Sequence, residues 1–112
     1  MTAERWTVEI SAEVARWYGS LKDADRAFAD VALERLRDQG PALRMPHSRS
    51  LSGGLFELRF GCEGVARRIT YHFDAPRRAI TLTTFRKQRQ ADQREMTRAR
   101  RAMKMSQAER ER

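Results

Sequence analysis

Glu57, Arg59, Arg68, His72 and Lys87 are side chains whose types suit phosphate chemistry. Arg and Lys hold phosphate oxygens and stabilise charge on a phosphorane, and a carboxylate or an imidazole can move the proton. They fall in or just beyond three segments, 55 to 61, 66 to 73 and 79 to 86, that alternate as half-buried strands do. In FELRF, Phe56, Leu58 and Phe60 take one face, Glu57 and Arg59 the other. In RITYHF, Ile69, Tyr71 and Phe73 oppose Arg68, Thr70 and His72. In the third segment Ile80 and Leu82 read as inward, Thr81, Thr83 and Phe85 as outward, and the same parity turns Lys87 outward.

Simple pairing of these strands would gather Glu57, Arg59, Arg68, Thr70, His72, Thr81, Thr83 and Lys87 on one face, with Arg86 and Arg89 at the strand end. RNA carries its own nucleophile, the 2′-hydroxyl, so such a face could cleave it with no Ser, Cys or metal from the protein. The plainer alternative is that any half-buried antiparallel sheet displays a charged outer face. A slip of one residue would also scramble the set.

The elements that must position these residues follow from the rest of the chain. WTVEI, 6 to 10, reads as a short strand, and Ser11 as the N-cap of a helix carrying Val14, Trp17, Tyr18 and Leu21 at helical spacing. Gly19-Ser20 interrupts it. A second helix runs to about Gln39 with Ala24, Ala27, Phe28, Val31, Ala32 and Leu36 as its apolar face, and Gly40-Pro41 stops it. ALRMPHSRSLSGG is a loop carrying Arg44, His47 and Arg49. Cys62-Glu63-Gly64 and Asp74-Ala75-Pro76 are gaps short enough for an antiparallel meander. The polar segment from Gln90 spaces Met96, Ala99 and Met103 as a narrow helical stripe. This order predicts an α+β domain over residues 1–104, its helices on one face of the sheet and the other face open, with 105–112 as a frayed tail.

Composition narrows the function. At 112 residues the chain is one domain, 34% charged and 40% hydrophobic, with a net charge of +8. Residues 1–40 hold 6 Lys and Arg against 8 Asp and Glu, whereas residues 41–112 hold 17 against 7. Such asymmetry points to a polyanion, with nucleic acid first. No apolar run approaches a membrane helix, and MTAERWTVEI lacks the apolar stretch of a signal peptide, so a cytoplasmic protein is expected. One cysteine, Cys62, excludes an internal disulfide, and with only His47 and His72 it makes no zinc site; no metal or cofactor is implied.

The stretches HSRSLSGGLFELRF, RRITYHF and ITLTTFRKQRQ, with an A-x-x-R-like helix around Ala99, resemble the RelE superfamily of ribosome-dependent mRNA-cleaving toxins, in particular its HigB-like, phage-related host-growth-inhibition proteins. The resemblance runs from Pro46 to about Met103 and implies a RelE-like fold: an N-terminal strand and helical hairpin packed on a mainly antiparallel sheet, with a C-terminal helix. It implies a toxin that cleaves translated mRNA in the ribosomal A site by metal-free 2′-hydroxyl attack. Arg59 matches a basic residue that contacts RNA phosphate, Arg68 the arginine that stabilises the transition state, and Lys87 the basic position after the third strand. Arg86 and Arg89 are neighbours of Lys87, and Arg49 and Arg67 further candidates for RNA contact. Members often have Tyr-Arg where this chain has Arg67-Arg68, and a Phe-x-Lys-Lys-Thr run where it has FRKQRQ. Some also place a Tyr or His near the C-terminus, which is lacking here, leaving His72 and Glu57 as candidates for proton transfer. The implied partners are a small antitoxin, usually a helix-turn-helix (HigA-like) protein, together with mRNA and ribosomal RNA, and no membrane.

The alternative is a module of the same fold that binds RNA without cutting it. A third reading makes the basic tail helix the active part, on DNA or a membrane surface. Its stripe of Met96, Ala99 and Met103 is thin for membrane burial, and removing the chain beyond Lys104 should then be nearly harmless to a nuclease.

Overall fold

The computed structural model describes residues 4–88 and 92–111. Its elements are β1 (Thr7–Glu9), α1 (Ala12–Gly19), α2 (Asp23–Gln39), β2 (Ser48–Ser50), β3 (Phe56–Cys62), β4 (Val65–Asp74), β5 (Arg78–Arg86) and α3 (Asp92–Arg110). The strands form one sheet in the order β1-β5-β4-β3-β2. β1 runs parallel to β5 and every other neighbour is antiparallel. This is the expected α+β arrangement, meander included.

Local chemistry sets the boundaries. Ser11 caps α1, its Oγ accepting the Val14 N–H at 3.2 Å. Gly40 ends α2 with φ +50°, and any Cβ there would land inside the Trp6 indole, so both backbone and packing require glycine. Phe56, Leu58 and Phe60 of β3 and Ile69, Tyr71 and Phe73 of β4 meet Val14, Ala32, Leu33 and Leu36 in the main core, as period two predicts. Each such aliphatic side chain stabilises the fold by roughly 1.5–3 kcal/mol.

Three features differ from the sequence expectation. First, α2 buries Ala29, Ala32, Leu33 and Leu36, and leaves Phe28 58% and Val31 51% exposed. The buried residues follow the i, i+3, i+4, i+7 rule; Phe28 lies about a quarter turn from that face and Val31 nearly opposite it.

Second, α3 lies across the face opposite α1 and α2. Its Ala99 and Met103 pack on Leu55 and Leu82, so that face is only partly open. The helix continues past Lys104 to Arg110 because Ser106 bonds His72 and Arg110 reaches Glu9 and Asp74.

Third, β5 carries a bulge. Ile69 faces Thr84 and Tyr71 faces Thr81, so two steps on β4 match three on β5. The extra residue inverts parity within the strand. Leu82 turns to α3 rather than inward, and Thr81 turns to the α1 side, where its hydroxyl meets Glu9 and Ser11. Thr83 stays on the outer face, its hydroxyl 2.6 Å from that of Thr70.

Candidate functional site

The part of the outer face that α3 leaves uncovered carries Arg49, Glu57, Arg59 and Arg68. Cross-strand register explains the grouping: Arg49 faces Glu57 across β2 and β3, and Arg59 faces Arg68 across β3 and β4. The lengths of β3 and β4 and the tight turn at Glu63-Gly64 fix the register of Arg59 against Arg68, so these side chains sit on rigid elements rather than on a loop.

Glu57 and Arg68 are each only 6% exposed, with Arg68 Nε 3.7 Å from Glu57 Oε1. One Arg68 terminal nitrogen donates to the Arg67 carbonyl at 3.0 Å, while its Nε, fully buried, has no hydrogen-bond partner among the described residues. Burial pushes the Arg68 guanidinium below its ordinary pKa; Arg59 and Arg49 press the same way and Glu57 opposes them. One carboxylate thus faces three guanidiniums. A buried donor without an acceptor is costly, and such a group is relieved by an anion that supplies the missing oxygen.

Arg59 is half-buried. Its N–H donates to the His47 carbonyl at 2.8 Å and its guanidinium approaches the Met45 sulfur at 3.0 Å. Arg59 and Arg68 share the wall of a groove of about 660 Å³ that also takes in Phe28, Pro46, Phe60 and Gly61.

The other sequence-predicted residues are distributed differently. Arg67 points to the opposite face, its guanidinium 4.5 Å from the centre of the Trp17 ring and its Nε donating to Thr84 Oγ1 at 3.0 Å. Arg86 faces Arg67 in register and is exposed. Lys87 donates its N–H to the Ala66 carbonyl at 2.9 Å and pairs through Nζ with Asp92. Arg89 lies outside the described residues.

His72 shares the face with Arg68 but sits four residues along β4, roughly 13 Å away at the usual strand rise. It is 3% exposed beneath α3, with Nε2 2.9 Å from Ser106 Oγ. Burial holds its imidazole below the ordinary histidine pKa, and Arg110 adds to that effect. His72 is therefore neutral near pH 7 and apart from the arginine cluster.

Sequence reasoning did not find Phe28, Gly61 or Arg100. Arg100 of α3 donates to the Leu51 and Ser52 carbonyls at 2.6 and 3.2 Å and so ties the β2–β3 turn to the helix. For Phe28 a signal existed: it lies off the face defined by Ala29, Ala32, Leu33 and Leu36. Among the described residues no three His, Cys, Asp or Glu side chains gather as a metal site, and no helix is long and apolar enough to cross a membrane.

Comparison with known proteins adds a family. No curated protein and no solved structure matches the chain. The family model of phage-derived Gp49-like proteins (DUF891) matches residues 16–104, from within α1 to within α3, a span that contains the arginine cluster and every strand but β1. A match over so much of the chain is decisive: it belongs to the phage-derived Gp49-like family, which is associated with toxin–antitoxin systems and so implies an antitoxin partner.

Proposed function

We propose that this chain is the toxin of a toxin–antitoxin pair, of the RelE and HigB kind, and that it cuts translated mRNA in the ribosomal A site. The observation that carries this reading is the buried Arg68 Nε, without a partner among the described residues, beside Glu57 and facing Arg59 across the sheet. A phosphate oxygen is the acceptor that this donor lacks.

In the proposed reaction the RNA 2′-oxygen bonds to phosphorus and its proton passes to a base. The bond from phosphorus to the 5′-oxygen breaks, and that oxygen takes up a proton. The products are a 2′,3′-cyclic phosphate and a free 5′-hydroxyl. Arg68 stabilises the charge on the phosphorane, Arg59 and Arg49 hold the backbone, and Glu57 is the carboxylate beside the same phosphate that accepts the proton. Lys87, tethered to Asp92, adds charge at the strand end. The site of action is the cytoplasm, where ribosomes are. The antitoxin, a helix-turn-helix protein in this reading, restrains the toxin by binding it.

A second reading, RNA binding without cleavage, is favoured by one observation. His72 is engaged with Ser106 under α3 and is removed from proton transfer at the cluster. Mapping transcript 5′ ends after induction separates the two. New ends within translated codons, absent with Arg68→Ala, support the nuclease; intact transcripts with growth unaffected reject it.

A further inference from the structure

Beside the arginines the sheet has an unpaired edge. β2 is only three residues long and ends with Ser48 opposite Leu58, so β3 runs on from Arg59 to Cys62 with no strand outside it among the described residues. Arg59 sends its N–H outward to the His47 carbonyl, and antiparallel alternation turns the next outward pair, the Gly61 N–H and carbonyl, to the open side. They offer one donor and one acceptor in the plane of the sheet.

Phe28 and Phe60 stand on the wall of the same groove, with Pro46. Phe28 is 58% exposed although a large aromatic normally finds cover. Gly61 is unexplained by the fold itself: its φ is not in the left-handed region, and an added Cβ would meet only the Val65 carbonyl oxygen at 4.0 Å. A strand glycine that neither backbone nor packing requires marks a place where something else approaches closely.

We infer that this groove seats one unpaired nucleobase of a single-stranded RNA, stacked on Phe28 and edge-bonded to the Gly61 backbone, while the adjoining phosphate lies on Arg59 and Arg68. The inference rests on the RNA reading above and adds the subsite that selects the nucleotide. Bases splayed from a single strand stack on aromatic rings and expose their edges for hydrogen bonding. A groove of about 660 Å³ has room for a base and its ribose. The cations at one end and the apolar wall at the other match the two ends of a nucleotide.

The test uses the full chain and a short single-stranded RNA carrying 2-aminopurine, with 2′-O-methyl groups throughout so that it is not cut. Binding should quench the 2-aminopurine fluorescence. Phe28→Ala should weaken binding about 5- to 150-fold and abolish the quench, while Phe28→Trp keeps both. Gly61→Val, which suits a strand, should fold and bind weakly. Unchanged affinity and quench in Phe28→Ala overturn the inference. So does a Phe28→Ala protein that binds RNA normally but escapes its antitoxin, which would make the groove a protein-docking surface. If the parent binds no free RNA at all, the subsite falls, while the functional reading stands or falls on the mapped transcript ends; if Arg59→Ala weakens binding and Phe28→Ala does not, only the subsite falls.

Discussion

Arg68 and Glu57 lie 3.7 Å apart in the sheet's outer face, both almost wholly buried, yet Arg68 Nε donates to no acceptor among the described residues. A buried ion pair of this kind is weak evidence for stability, because desolvating two charges costs about what their attraction returns. The geometry therefore makes more sense as a binding site kept ready than as a structural tie. Arg68→Ala should lower mRNA cleavage by roughly 10²–10³. Arg68→Lys should cost nearly as much despite keeping the charge, since Lys cannot reproduce the planar fork. Thermal unfolding of the Lys variant alongside its cleavage rate separates lost chemistry from lost fold. A folded Arg68→Lys protein that cuts like the parent would remove Arg68 from the mechanism.

Arginines on adjoining strands, Arg59 of β3 and Arg67 of β4, should behave as different residues. Arg67 stacks on Trp17 and bonds Thr84 on the face away from the cluster. Loss of the stack and the hydrogen bond in Arg67→Met should destabilise the fold by about 1–3 kcal/mol. RNA affinity should be unaffected. Arg59→Ala should do the reverse, leaving unfolding alone and reducing the slope of log affinity against log salt by about 1. Denaturant unfolding and RNA binding across a salt series measure both. A shallower salt slope in Arg67→Met would place Arg67 on the RNA after all.

How far the sequence foretells this site depends on which pairing each residue needs. β3 and β4 are legible because period two is local: Phe56, Leu58 and Phe60 could only share a face, and so could Arg68, Thr70 and His72. β5 is not, because its bulge exists only against Tyr71 and Ile69, and TLTTF contains no Gly or Pro to announce it. The position of α3 was hidden for a related reason. Its buried stripe is only Ala99 and Met103, and the surface that receives it, Leu55 just before β3 and Leu82 of β5, comes from parts of the chain far apart in sequence. Its arrival buries His72 against Ser106, which no spacing along β4 reveals. The edge at Gly61 depends likewise on where β2 stops.

The C-terminal turns of α3 should matter to stability. Ser106 bonds His72, and Arg110 pairs with Glu9 and lies 3.6 Å from Asp74, joining the helix to β1 and β4. Truncation after Lys104 would uncover the buried His72 and Ile80 and remove those contacts. The shortened chain should melt roughly 5–10 °C below the parent, in line with a loss of one to two kcal/mol for a domain of this size. Cleavage at a temperature where both chains are folded should change little, because the arginine cluster stands away from this end of the helix. Differential scanning calorimetry of both chains decides the point, and coincident melting curves would show that these contacts contribute nothing.

Acid should weaken the seat of α3 through His72. Its imidazole is held below the ordinary value of 6.5, first by burial and then by Arg110, with Asp74 and Glu9 acting the other way. A histidine whose folded-state pKa lies below its unfolded value binds fewer protons when folded, so stability rises with pH across that window. The contribution is complete above pH 6.5 and drains away as pH falls beneath it, ceasing to change below the folded pKa. His72→Gln keeps a hydrogen-bonding partner for Ser106 without a titrating ring. The parent should therefore lose stability in urea between neutral pH and mildly acidic pH faster than His72→Gln does. Parallel curves for the two proteins below pH 6.5 would mean that His72 takes up its proton without disturbing the helix above it.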